Sequence, residues 1–499
     1  MSHGVRAFRL SSRVKGLLAA TSASLGLVAC ATVPGANVAP GSPITQAEAQ
    51  QGAEYHEQFV AEFGGEMSGP QARYVSQVGQ NIAVQSGLAT SPTAFDVTLL
   101  NSSVNNAFAV PGGYVYATRQ LVTLMNNEAE LAAVLGHEVG HVAARHSARR
   151  QAAAQRNQLG GLGVAILSQV LLGNSGLGNT IAQGAMQGSQ MLTLSYSRSQ
   201  EIEADELGIR YLTLAGYDPH AMATLLSSLA AQNALDAQLQ GRANATIPEW
   251  ASTHPDPASR VQNALQLAGN GTGVVNRDSF LNNIDGLIYG DDPAQGVIEG
   301  SQFIHPQLRL SFTAPQGFYM VNGTRAVSIN GDAGKAQMTT AAFSGNLDSY
   351  IRSVFQAIGG QNSNLAPTSI QRTTVNGLPA AYGMARVNNG QQQVDVTVFA
   401  YEFSPNQAFH FQAITPAGQA SVFNEMFNSM RRISASEANA VVPRRIDIVT
   451  AQRSDTVATL ARRMAYPDAQ EARFRVLNGL SGNATLVPGQ QYKIVVRVN

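Results

Sequence analysis

Two stretches of this chain hold residue types that bind metals and move protons. In "VLGHEVGHVAARH", Val134 to His146, His137 and His141 stand four residues apart, with Glu138 directly after the first. On a helix that spacing sets both rings on one face, about one turn apart. Both imidazoles then reach a single zinc ion at roughly 2.0–2.1 Å. Glu138 is rotated by about 100°, near enough to meet a water at the ion without ligating it. A carboxylate so placed takes a proton from a water whose pKa the metal has brought down to about 7.

The second stretch is "SYSRSQEIEADELGIRYL", where Glu201, Glu203, Asp205 and Glu206 crowd one helical pattern. Glu201 and Asp205 share a face at four-residue spacing, while Glu203 is turned away by about 200°. With the histidine stretch, this makes Glu201 the third metal ligand. Asp205 becomes the acceptor for the free ring N–H of a ligating histidine, which fixes its tautomer. The competing reading is a solvated acidic helix face. His146, five residues beyond His141, points off the shared face and is expected at the surface.

The elements that must position these groups are legible. "NNEAELAAVLGHEVGHVAARHSARR" predicts a helix with Leu131, Val134, Leu135 and Val142 toward the core. Its acidic start and basic end complement the helix dipole. Gly140 weakens it at mid-length, which predicts the close approach of another backbone there. The pairing of His-Glu-x-x-His with an acidic second helix matches a zinc-protease signature.

"HEVGH", "SRSQEIEAD", "NAFAVPGGYVY" and "THPDPASR" together resemble the zinc metalloprotease family that includes HtpX, BepA and the CaaX prenyl endopeptidase, over about residues 50–265. The resemblance implies a mainly helical zincin-type domain with one zinc held by His137, His141 and Glu201, and Glu138 as general base. It also implies that His254 lies over the metal as an additional, displaceable ligand, with Arg260 holding substrate or oxyanion. A plain loop histidine before proline remains the other reading of His254. Residues 158–195, apolar, glycine-studded and nearly uncharged, read as a mobile lid or plug or as a buried helix pair, and the resemblance supports the lid. Asn106, with Gly112 and Gly113 of the Pro-Gly-Gly turn, either lines a substrate strand by β-augmentation or is ordinary turn chemistry. BepA itself continues into helical repeats, whereas this sequence predicts a β-rich domain and a LysM-like tail.

The remaining sequence predicts an α+β multidomain chain. Residues 1–29 read as a signal peptide, with a basic start and a short apolar run ending at Cys30, the only cysteine. Its setting, "LVAC", resembles a lipobox, so lipidation at Cys30 and anchorage to the periplasmic face of the outer membrane are expected. Residues 30–45 form a Pro/Gly/Ser linker, and 46–290 the metalloprotease domain with a small sheet. Residues 296–436 hold strand patterns and two amphipathic helices, an antiparallel α+β domain without a catalytic constellation. His305 and His410 are read there as ordinary residues. Residues 444–499 run strand, helix, helix, strand and resemble a LysM module, although Ser454 stands where such modules usually carry glycine.

Lysine plus arginine equals aspartate plus glutamate at 32 each, and after the basic leader the chain is mildly acidic. Nothing in that balance favours a nucleic-acid partner. The expected partners are protein or peptide substrates, peptidoglycan through the C-terminal unit, and the membrane through the anchor. The expected activity is zinc-dependent cleavage of misfolded or misassembled envelope proteins. The rivals are a chaperone-like or wall-binding assembly factor with a self-inhibited metal site, and a peptidoglycan-processing enzyme.

Overall fold

A side-chain cap starts the first helix of the N-terminal segment and an early proline the second. Thr45 accepts from the backbone N–H of Glu48 while the Glu48 carboxylate accepts from Thr45, a reciprocal capping box that opens α1, Gln46–Glu62. Proline stands in the first turn of α2, Pro70–Ala83. These elements belong to a computed structural model that describes residues 38–150, 196–239, 254, 256–359, 365–388 and 393–498. Cys30, the leader and the expected lid over 158–195 lie outside the described residues.

The strand-rich interruption forms a three-stranded sheet of β1 (Asp96–Leu100), β2 (Ala107–Val110) and β3 (Tyr114–Thr118). β3 is central, parallel to β1 and antiparallel to β2, so β2 is an edge. One face carries an aromatic cluster with α1, in which Phe59 and Phe63 pack on Phe108 and Tyr116. The other carries the main core, against α2 and α4 (Glu128–Ala143). A short α3, Arg119–Leu124, links the sheet to α4. Asn127 caps α4 by accepting from the N–H of Glu130 at 2.9 Å. The acidic helix α5 (Arg198–Leu214) packs across α4, followed by α6 (Ala221–Leu239), α7 (Pro257–Ala268) and α8 (Arg277–Ile284).

The middle segment is built on a seven-stranded antiparallel sheet. Its spatial order is Ile370–Val375, Leu378–Asn388, Gln393–Ser404, Gln407–Pro416, Gly334–Thr340, Val327–Gly331 and Tyr319–Asn322. Helix Leu347–Gly359 covers one face with Ile351, Val354 and Phe355. Phe303, Phe312, Phe423 and Phe427 cover the other. His410 is buried in this sheet, its Nδ1 2.8 Å from the Tyr350 hydroxyl.

The last segment has the order strand Arg444–Thr450, helices Val457–Ala461 and Gln470–Leu477, strand Gln491–Arg497. The two strands pair antiparallel, and Arg444–Arg445 also pair with β4, Ile288–Tyr289. Ile446, Leu460, Phe474 and Ile494 join the same apolar cluster as Val134 and Leu135 of α4. The C-terminal unit is thus continuous with the core behind the histidine helix. No helix among the described residues is long and apolar enough to cross a membrane.

Candidate metal centre

Glycines bring α4 and α5 together. A Cβ on Gly140 would sit 3.0 Å from the Ala204 carbonyl oxygen, and one on Gly208 would sit 3.1 Å from the His137 nitrogen. A methyl at either crossing would require the neighbouring backbone to give by a few tenths of an ångström; bare glycines let the helices approach closely, and Glu201 and Asp205 of α5 meet the α4 histidines. The backbone expected near Gly140 is that of α5.

Donor atoms of His137, His141, Glu201 and His254, all buried, lie within 4.8 Å of one another. Three imidazoles and a carboxylate form a nitrogen–oxygen set of the kind zinc takes. His137 Nδ1 is 2.9 Å from Asp205 Oδ1, which leaves Nε2 toward the cluster. The Nε2 atoms of His137 and His141 face each other at 3.1 Å. Neutral rings hold that approach only with a cation or a hydrogen between them. His254 Nδ1 is 3.2 Å from Glu201 Oε1, and its Nε2 is 3.5 Å from Glu138 Oε1. That Glu138 oxygen is buried and accepts no hydrogen bond among the described residues. A carboxylate oxygen without a hydrogen bond is costly to bury, and here its charged neighbour is His254.

The electrostatics are steep. Burial pushes the Glu138 carboxyl up, against the pull of His254 and His137. Burial also opposes charge on Glu201, yet His254 and the hydrogen bond from His141 hold it well below the usual carboxylate range. Burial drives His141 well below its ordinary value, which suits a neutral ligand.

Sequence reading and geometry part at two places. Arg260 does lie in the site, but its guanidinium faces the carboxylates. Nε donates to Asp205 Oδ2 at 2.8 Å, and Nη1 donates to Glu201. His146 was expected at the surface and is instead fully buried, with Nδ1 2.8 Å from His141 Nδ1. The reason is local: α4 stops at Ala143, and Arg145 takes a left-handed φ of 56°, so the chain doubles back. Tyr196, unmarked by any spacing, stacks on His141 with ring centroids 3.8 Å apart. Its only signal was its place just before Glu201 in the acidic stretch.

Asn106, Gly112 and Gly113 are not part of the donor cluster. Asn106 precedes β2 and is buried, its backbone bonded to Thr118. Gly112 and Gly113 turn β2 into β3 with φ of 97° and 91°, and a Cβ on Gly112 would strike the Glu48 carbonyl of α1 at 2.6 Å.

Residues 70–268, from the start of α2 to the end of α7, match the model of Peptidase family M48. Over 242 residues the chain is 31% identical to the beta-barrel assembly-enhancing protease of Escherichia coli O157:H7, covering 48% of this chain and 47% of that one. The Yersinia pestis protein of the same name is 36% identical over 202 residues, 39% of this chain and 38% of its own. The mitochondrial metalloendopeptidase OMA1 of Schizosaccharomyces pombe is 30% identical over 218 residues, 43% and 59% of the two chains. The chain spans about half the length of the curated relatives it matches.

Proposed function

From the match of residues 70–268 to Peptidase family M48, we propose that the chain is a zinc-dependent endopeptidase of the bacterial cell envelope. Its substrates are misfolded or misassembled proteins. The observation that carries this reading is the buried donor set of His137, His141, Glu201 and His254 beside the unsatisfied oxygen of Glu138. The names of the bacterial relatives support an envelope role. The leader ending at Cys30 supports a lipid anchor facing the periplasm, and the LysM-like segment supports retention at peptidoglycan.

His137, His141 and Glu201 would hold the zinc, with His254 as a fourth donor that gives way to substrate. When bound, the ion supplies Lewis-acid polarisation of the scissile carbonyl and an acidified water. Glu138 would serve as the general base toward an attacking water and as the acid toward the leaving amine; its upward-shifted carboxyl is suited to both roles. Asp205 fixes the His137 tautomer through Nδ1. Arg260 is assigned a positioning role in place of the oxyanion role expected from sequence, because its donors face Asp205 and Glu201. Among the described residues β2 is a sheet edge, the place where an extended peptide would pair.

The decisive variant is Glu138→Gln. It is expected to retain stoichiometric zinc and to lose proteolysis by about 100-fold or more. Wild-type turnover in that variant would sink the mechanism. One observation favours a second reading: His254 stands against both Glu201 and Glu138, the arrangement of a self-inhibited centre serving an assembly factor. Complementation of a deletion strain by Glu138→Gln would support that reading over the protease.

A further inference from the structure

We propose that His146 is a positioning residue for the metal ligand His141 and that it acts as a relay to Glu203. This inference rests on the reading of the cluster as a metal centre. It assigns a role to two residues outside the donor set.

The argument starts from hydrogen counting. His141 Nε2 faces the cluster, 3.1 Å from His137 Nε2 and 3.4 Å from Glu201 Oε1. A histidine that ligates through Nε2 carries its hydrogen on Nδ1. That Nδ1 is 2.8 Å from His146 Nδ1, and two ring nitrogens share one hydrogen. His141 therefore donates and His146 accepts. The hydrogen of His146 then sits on Nε2, which lies 3.0 Å from Glu203 Oε2. Both tautomers are fixed in series, and the chain of donors ends on a carboxylate.

The two helix histidines are thus held differently. His137 reaches a carboxylate directly, and that carboxylate is buried and gripped by Arg260. From its Nδ1, His141 reaches one through a neutral imidazole, and Glu203 is 42% exposed and shared with Arg149 at 3.4 Å. The stacked Tyr196 ring restrains the face of His141 without setting its rotation about the metal direction. His146 supplies that setting. Its own position depends on the left-handed Arg145, whose side chain donates to the carbonyls of Ser42 and Pro43.

The test is zinc affinity of the full chain by equilibrium competition with a chelator, with the absorption spectrum of the cobalt-substituted protein as a second readout. His146→Leu removes the acceptor and is expected to weaken zinc about 10–100-fold and to shift the cobalt bands. His146→Asn keeps an oxygen where Nδ1 stood and is expected to restore affinity to within about 3-fold of wild type. Glu203→Ala, at a half-exposed position, is expected to weaken zinc several-fold, and it decides the matter if His146→Leu does not fold. Wild-type zinc affinity in His146→Leu, or in Glu203→Ala should the former not fold, overturns the proposal. So does a folded His146→Asn that binds no better than His146→Leu. His141→Ala that still binds zinc at full affinity would instead overturn the metal-centre reading itself.

Discussion

Arg260 and Asp205 show how the centre keeps several charges out of water. Asp205 accepts from His137 and from Arg260, whose guanidinium also reaches Glu201. An isolated buried carboxylate would neutralise; this set stays ionised because each charge has a partner with good geometry. Buried histidines elsewhere follow the opposite rule. His410 has no cation or carboxylate among its causes of shift, and burial alone pushes it down to about 4. Its unfolded value is about 6.5, so between those limits the unfolded chain binds the extra proton. Stability is therefore full above about pH 6.5 and is lost as pH falls toward 4, by up to about 3 kcal/mol. Denaturant midpoints at pH 7 and pH 4.5 should diverge in wild type and converge in His410→Gln. An equal acid loss in the variant would remove His410 as the cause.

At the scale of elements, the site depends on how α4 stops and how closely α5 crosses it. The Gly41 N–H donates to the Ala143 carbonyl at 2.8 Å, and Arg145 pairs with Glu48 of α1 at 2.9 Å. The segment before α1 thereby ends the histidine helix and turns His146 inward. The crossing is set by Gly140, where the neighbour is backbone rather than a yielding side chain. Gly140→Val should cost about 1–3 kcal/mol through overpacking and weaken zinc binding, because Glu201 and Asp205 move with α5. Thermal melts with and without added zinc measure both effects. A variant with wild-type melting and wild-type zinc stabilisation would show that the crossing has room to spare.

At the scale of the whole molecule, the C-terminal unit reaches the base of the catalytic core through Lys493. Its buried ammonium donates to the carbonyls of Thr123 at 2.8 Å and Met125 at 2.5 Å, at the end of α3. Burial lowers its pKa to about 7, while Glu130 at the start of α4 pulls it back up. Asn126 donates its backbone N–H to Glu130 at 2.8 Å, and a Cβ on Gly479 of the C-terminal unit would touch the Asn126 amide at 3.0 Å. Lys493→Met leaves those buried carbonyls without their donor. An unsatisfied buried acceptor costs about 1–3 kcal/mol. Equilibrium unfolding of the full chain should show one weakened transition including the metal domain. A loss below about 1 kcal/mol would mean that the contact behaves like a surface pair.

The sequence by itself marked His137, His141 and Glu201 as candidate donors and put Asp205 on one face with Glu201, because four-residue spacing on a helix is a local property; that the two helices bring these groups together is tertiary. It also determined the strand and helix patterns of the later domains, since periodicity is written residue by residue. Only the tertiary structure decided the places of His146, Tyr196 and Arg260. The helix end that turns His146 inward is imposed by residues about a hundred positions earlier, and the guanidinium's partners come from another helix. Spacing carries no record of such contacts. The shared core of the first and last segments was hidden for the same reason: each apolar pattern shows that a face is buried, and only the folded chain shows against what.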